Sequence, residues 1–338
     1  MLNTANDVAL RGNPIDDVFG GMFKYSALVV AAKLGLFRAL EAGPLDLAEL
    51  ARTLETDEQG TRALADVLVI EDYLELHDGH YAQGPLARRW LDSDGPRDFT
   101  PALLWGYELW NVLWELPQAV REGAPAQSLW ERWAERPDAG KDFADYMKVK
   151  STLTVEPIVD ETPVPTGARR LLDLGGSHGL HSIAFCTRYP DLTATVMDLP
   201  EALTGTAQAA AEAGLGDRIT TKPGSFFTDD LGEDYDVVLL FEILHCLGPE
   251  DNAELITRAA RVLRPGGVIV ILEDVAGAEP DEHNSAFSLC MFACTGDRTY
   301  TLEEIGGWLT DAGLIDVRQL PLPASVSLVV ASQPGSDT

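Results

Sequence analysis

The 338-residue chain changes its hydrophobic rhythm once, near Pro165. Before that point apolar residues recur mostly at helical spacing. Ala27 to Leu40 is an apolar stretch broken at Gly35. Asp46–Leu54 and Glu58–Leu68 read as short helices, the second with Thr56 as its N-cap. Tyr73–Leu76 and His80–Ala82 read as a hairpin turning at Asp78-Gly79. After Pro165 short apolar runs alternate with helical segments. Strands are expected at Leu171–Leu174, Thr193–Met197, Arg218–Lys222, Tyr235–Phe241, Val268–Leu272 and Ser325–Val330. Helices are expected at Leu180–Arg188, Glu250–Leu263 and Leu302–Ala312. This alternation predicts an α/β domain built on a parallel sheet.

The stretch Arg169–Glu201 organises that domain. Leu171, Leu172 and Leu174 suit a strand buried on both faces, and the strand runs into Gly175-Gly176-Ser177-His178-Gly179. Glycines there allow positive φ and let a ligand approach the backbone. A helix, a second strand and Asp198 complete a βαβ unit of the nucleotide-binding kind. A dinucleotide fingerprint needs G-x-G-x-x-G, but Ser177 and Leu180 stand at its second and third glycine positions. Asp173 suits a ligand with a cationic group better than a phosphate, and S-adenosylmethionine has an ammonium, a sulfonium and no phosphate. Asp198 stands where a carboxylate accepts bonds from ribose hydroxyls.

Composition narrows the partners. The net charge of −29 argues against nucleic acid and anionic membranes. The expected winged-helix pattern near the N-terminus, which often binds DNA, carries Glu58, Asp66, Glu71, Asp72 and Glu75 where a DNA reader needs basic residues. The polar Met1–Asp17 lacks a leader pattern, no apolar run is long enough to span a bilayer, and the four cysteines include no C-x-x-C pair. A cytoplasmic protein is the expectation. Six of the seven tryptophans lie between Trp90 and Trp133, and they suit either packing or the wall of a pocket for a flat aromatic molecule. His178 and His181 form an H-x-x-H pair without acidic or Cys partners, so no metal is expected there.

The motifs LLDLGGSHG, MDLPEAL, PGSFF, FEILHCL, LRPGG and GDRTYTLEEI stand in an order that resembles the S-adenosylmethionine-dependent O-methyltransferases of the caffeic-acid and hydroxyneurate type. The resemblance spans nearly the whole chain. It implies a Rossmann-like class I methyltransferase domain with a mostly parallel seven-stranded sheet, over residues 166–338. It also implies a winged-helix-like dimerisation domain over residues 1–100, a helical linker over 101–165 that contributes to the substrate pocket, and a homodimer. Asp173, Gly175, Gly176, Asp198, Leu199, Ser225, Phe226 and Ser151 would hold S-adenosylmethionine, with S-adenosylhomocysteine as product. Phe143, Met147 and Trp110 would face a small aromatic acceptor.

The resemblance makes His245, just after the fourth strand, the general base, with Glu273 and Asp297 orienting it and no metal required. Asp274 is the neighbouring candidate if the correspondence slips by one residue. The chain also departs from the family. His245-Cys246-Leu247 replaces His-Asp-Trp, Phe241 stands where a basic residue is common, Ser225 replaces an acid, and Asp297 replaces a longer Glu. These departures leave room for methylation of carbon or nitrogen, or for a reaction without methyl transfer. A winged-helix regulator that senses the cofactor is the rival from another class.

Overall fold

The computed structural model describes residues 13–335 apart from 94, 96, 136 and 324, and for 137–139 it describes the backbone alone. It divides into two compact units, residues 1–110 with 141–149, and residues 111–140 with 150–338. The polar Met1–Gly12 segment lies outside the described residues.

The first unit contains α1 (Pro14–Lys33), α2 (Leu36–Ala39), β1 (Leu45–Asp46), α3 (Leu47–Thr53), α4 (Glu58–Ile70), β2 (Leu74–His77), β3 (His80–Gln83) and α5 (Pro85–Trp90). Next come α6 (Thr100–Glu122), which is divided between the units, and α7 (Leu129–Glu135) in the second. Then α8 (Pro137–Glu161) contributes to both.

Local chemistry sets the helix starts. Asp46 and Glu49 close a reciprocal capping box on α3. Asp57, not the expected Thr56, caps α4, taking the amides of Gln59 and Gly60 at 2.9 and 3.1 Å. Thr56 turns its hydroxyl to Thr61 instead, at 2.7 Å. The hairpin forms as its sequence predicts, with Asp78 and Gly79 at φ 50° and 79°, and β1 adds to its edge in the order β1–β3–β2. Leu36, Leu50, Leu68, Leu74 and Tyr81 form the core beneath. On α1 the residues Ile15, Val18, Phe19, Met22 and Phe23 follow i, i+3, i+4, i+7, i+8 spacing, and each is at least 54% exposed. Such a stripe on a helix is a contact face without its contact.

The second unit is an open sheet with helices on both faces. In chain order it comprises β4 (Arg170–Leu174), α9 (Leu180–Arg188), β5 (Thr193–Asp198), α10 (Thr206–Glu212), β6 (Ile219–Pro223), β7 (Tyr235–Phe241), α11 (Pro249–Arg261), β8 (Leu263–Glu273), α12 (Glu282–Thr295), α13 (Leu302–Asp311), β9 (Ile315–Pro321) and β10 (Ser327–Ser332). The strand order is β6-β5-β4-β7-β8-β10-β9, parallel from β6 through β8, with β10 antiparallel to both its neighbours. The chain winds outward on both sides from β4 and β7, so the crevice at their carboxyl ends is a topological switch point. All seven residues of β7 are buried, and its one polar member, Asp236, accepts the amides of Arg169 and Arg170 at 2.7 and 2.8 Å.

Three details differ from the sequence reading. Strand β8 begins at Leu263 and takes in Arg264-Pro265-Gly266-Gly267, with a register shift opposite Tyr235 and Val237. Helices α10 and α12 were not expected. Strand β9 was not expected either, because its residues are mostly exposed and show no inward alternation.

Candidate active site

Two turns at the carboxyl ends of β4 and β7 assemble the site. These strands are neighbours in the sheet, with Asp173 opposite Leu239 and Leu174 opposite Leu240.

The turn after β4 is packed so closely that it has no room for side chains at two positions. Gly175 takes φ +73°, and a Cβ there would stand 2.3 Å from Cδ1 of Ile243. A Cβ on Gly176 would stand 2.5 Å from Cγ of Asp173 and 2.7 Å from Cγ1 of Val196. Both positions therefore require glycine. Ser177, at φ 40°, donates its amide to Asp198 Oδ2 at 3.0 Å, and Leu199 donates its amide to Oδ1 at 2.7 Å. Each oxygen keeps a second lone pair for a ligand hydroxyl. Burial pushes the Asp198 carboxyl above its ordinary range, against the pull of those two amides.

Asp173 is buried and accepts a hydrogen bond from Ser182 Oγ at 2.7 Å. Burial raises its pKa to about 7, opposed by the Ser182 bond and aided by the charge on Asp198. A carboxyl so poised gains from a nearby cation. The glycine turn, an acid at the end of β5 and the lack of Lys or Arg in the turn fit S-adenosylmethionine better than a phosphate carrier. Of the remaining expected cofactor residues, Ser151 on α8 has its Oγ 3.4 Å from His178 Nε2 in this turn, and Leu199 is 53% exposed. Ser225 takes the amide of Phe227 at 3.2 Å on its hydroxyl, and Phe226 packs against the sheet beside Phe227.

The turn after β7 carries the imidazole. Glu242 takes φ 58°, and a single turn of 3₁₀ helix, Leu244–Cys246, follows. The Glu273 carboxylate at the end of β8 grips this turn twice. Leu244 donates its amide to Oε1 at 2.8 Å, and His245 Nδ1 donates to Oε2 at 2.6 Å. Asn252 donates to the carbonyls of Leu244 and Leu247 at 3.0 Å each, and the Tyr300 hydroxyl donates to Leu247 at 2.6 Å. His245 and Glu273 are 7% and 3% exposed. Burial alone would lower the His245 pKa, but the Glu273 charge and the neighbouring Cys246 outweigh it, so the net direction is well above the ordinary range. Nδ1 is committed to Glu273, and the imidazole also hydrogen-bonds the Cys246 side chain.

The structure brings His245 and Glu273 together, and it sets Asp297 beside Gly248, three residues after His245. Asp297 Oδ1 would stand 3.5 Å from a Cβ at Gly248, and its amide donates to Thr295 Oγ1 at 3.2 Å. Burial and Asp251 push its carboxyl up. Asp274 serves a different imidazole, accepting from His283 Nε2 at 2.9 Å. One residue that sequence reasoning missed is Phe287 on α12. Its ring meets His245 edge-on at 5.1 Å and lies nearly parallel to His283 at 6.5 Å.

His181 is buried and neutral, its pKa lowered to about 3 by desolvation and by His178. Among the described residues no group of three or more His, Cys, Asp or Glu is placed to hold a metal ion. No helix among them is long and apolar enough to cross a membrane. Trp110, Phe143 and Met147 all fall in the first unit, where Trp110 packs on Tyr107 at 5.1 Å and Phe143 on Trp105 at 5.1 Å.

Comparison with known proteins gives matches over nearly the whole chain. An O-methyltransferase domain profile matches residues 111–315, and an O-methyltransferase dimerisation domain profile matches residues 17–93. The 3-hydroxy-5-methyl-1-naphthoate 3-O-methyltransferase of Streptomyces sahachiroi is 30% identical over 315 residues, covering 90% of each chain. The aclacinomycin 10-hydroxylase RdmB of Streptomyces purpurascens is 30% identical over 321 residues, covering 87% of this chain and 82% of that one. The crystal structure of human N-acetylserotonin methyltransferase in complex with S-adenosylmethionine shares the fold, with a TM-score of 0.86 at 24% identity over 95% of this chain and 96% of that one.

Proposed function

The chain belongs to the O-methyltransferase family and is an S-adenosylmethionine-dependent enzyme, and from this premise we propose that it methylates a hydroxyl of a small aromatic molecule with His245 as general base. When bound, S-adenosylmethionine supplies an electrophilic methyl group on a sulfonium. Asp198 is suited to take the ribose hydroxyls, Gly175 and Gly176 to give the ligand access to the backbone, and Asp173 to favour a cation. Ser151, Leu199, Ser225 and Phe226 complete the proposed cofactor set.

The observation that carries the reading is the buried 2.6 Å bond between His245 and Glu273 at the switch point. Glu273 fixes the tautomer, so Nε2 accepts the acceptor's hydroxyl proton as its oxygen attacks. The carboxylate then stabilises the imidazolium that forms. In the free protein Glu273 holds the proton on His245, and a cationic cofactor favours its release. Asp297, beside Gly248, is the second acid of the proposed base.

We further propose a homodimer formed through the apolar stripe of α1, which the match to a dimerisation domain supports. Cytoplasmic residence is supported by the four free cysteines.

The test is transfer of labelled methyl from S-adenosylmethionine to a panel of phenols and a cell extract. Wild type is compared with His245→Ala once both are shown to bind S-adenosylhomocysteine. Label on oxygen that falls roughly a hundredfold or more in the variant supports the base. Label indifferent to the substitution removes His245 from the reaction. Tight cofactor binding with no label in any acceptor favours chemistry such as that of the hydroxylase relative.

A further inference from the structure

Helix α8 touches both turns of the site with two consecutive residues. Lys150 Nζ donates to Glu242 Oε2 at 2.6 Å, and Ser151 stands against His178. Glu242 and Lys150 side chains are 11% and 29% exposed. Lys150 also lies 5.9 Å from the centre of the Phe287 ring, which meets His245 edge-on.

Glu242 is unusual in its backbone. It takes φ 58°, where a Cβ is costly and glycine would be comfortable. A strained residue persists only where its surroundings over-determine it. Here its amide is tied to the Leu272 carbonyl at 2.8 Å and its side chain to Lys150. The next three residues do the work of the site. Ile243 closes the space over Gly175, Leu244 donates to Glu273, and His245 carries the imidazole. The left-handed Glu242 therefore sets the direction in which all three leave the sheet.

We infer that the Lys150–Glu242 ion pair is a latch that positions His245, joining α8 to the turn after β7 and holding the strained backbone from which the base projects. Lys150 and Glu242 are positioning residues, acting through the turn rather than on the substrate. The inference rests on His245 being the base.

The test combines a spectroscopic and a kinetic readout on the full-length chain loaded with S-adenosylhomocysteine or S-adenosylmethionine. The short His245–Glu273 bond should give a low-field proton resonance in wild type, lost in His245→Ala. Lys150→Met and Glu242→Gln should broaden or shift that resonance. They should also lower kcat roughly ten- to a hundredfold with the acceptor KM nearly unchanged, the range a misplaced catalytic group produces. The charge-reversed double variant Lys150→Glu/Glu242→Lys should recover most of the loss.

Glu242→Gly separates latch from scaffold. Relieved of strain, it should melt no lower than wild type and yet be as slow as Glu242→Gln. An unmoved resonance in Glu242→Gln overturns the latch, as does a kcat loss that merely follows melting temperature without recovery in the double variant. A wild type that shows the resonance but transfers no methyl group counts against the proposed reaction and leaves the resonance to decide the latch.

Discussion

Replacing Glu273 by Gln changes one atom at the most constrained point of the site. Its Oε1 takes the Leu244 amide and its Oε2 takes His245 Nδ1, so both oxygens are already acceptors. The amide of Gln offers only one oxygen. If that oxygen stays on Leu244, the NH₂ faces Nδ1 and forces the imidazole proton onto Nε2, the nitrogen that must be bare to act as base. If the amide flips, its NH₂ meets the Leu244 N–H, and one buried donor is left unsatisfied. Both side chains are almost wholly buried, so little solvent screening softens either outcome. An imidazole held in the wrong tautomer forfeits its general-base contribution, a loss of roughly 10²–10⁴ in kcat. The pH profile supplies a sign. Glu273 raises the His245 pKa, so removing its charge moves the acidic limb of kcat to lower pH while the plateau falls. The assay is initial-rate methyl transfer across a pH series, with S-adenosylhomocysteine binding as the control for folding. A variant within about fivefold of wild type, or a limb displaced to higher pH, would refute the reasoning.

Two further outcomes follow from other residues. Because the buried Asp173 has a pKa raised to about 7, the free protein is favoured below that carboxyl's ordinary range and loses the advantage as pH rises through about 7. Asp173→Asn should therefore raise the melting temperature of the free protein by a few degrees above about pH 7 and weaken S-adenosylhomocysteine binding, measured by calorimetry. A variant that melts lower and binds equally well counts against that assignment. Phe19→Asp combined with Phe23→Asp should convert a dimer to a monomer in sedimentation at micromolar concentration, and a dimer that persists locates the interface elsewhere.

Parts of this architecture are plain in the sequence for physical reasons. The helix at about Leu180–Arg188 is legible because a glycine turn starts it and β5 follows shortly after. Tyr235–Phe241 is legible as well, because the run Val237–Phe241 is apolar throughout, as a strand buried on both faces favours. Thr56 and Asp57 are both good caps, and only the three-dimensional path shows which side chain meets the first free amides. Strand β9 sits at a sheet edge with its residues in solvent, so no burial pattern marks it.

The site divides in the same way. His245 and Glu273 are reachable through the family resemblance, and the pairing of β7 with β8 brings the turn after one strand to the end of the other. Phe287 lies on a helix whose apolar residues are spread around its circumference, which hides the face that meets His245. Glu242 could not be identified from its residue type, because glycine or asparagine is the usual sign of a left-handed backbone.

The exposed stripe on α1 also bears on how two copies would meet in the proposed homodimer. Each copy carries a charge of −29, so two copies repel one another at distances beyond the reach of their apolar faces. At low ionic strength that repulsion slows encounter, whereas the short-range burial of Phe19 and Phe23 slows escape once contact is made. Added salt shortens the screening length and speeds pairing while leaving the dry contact nearly untouched. For this chain, dilution and desalting would act together against assembly, and a crowded, salty interior would favour it.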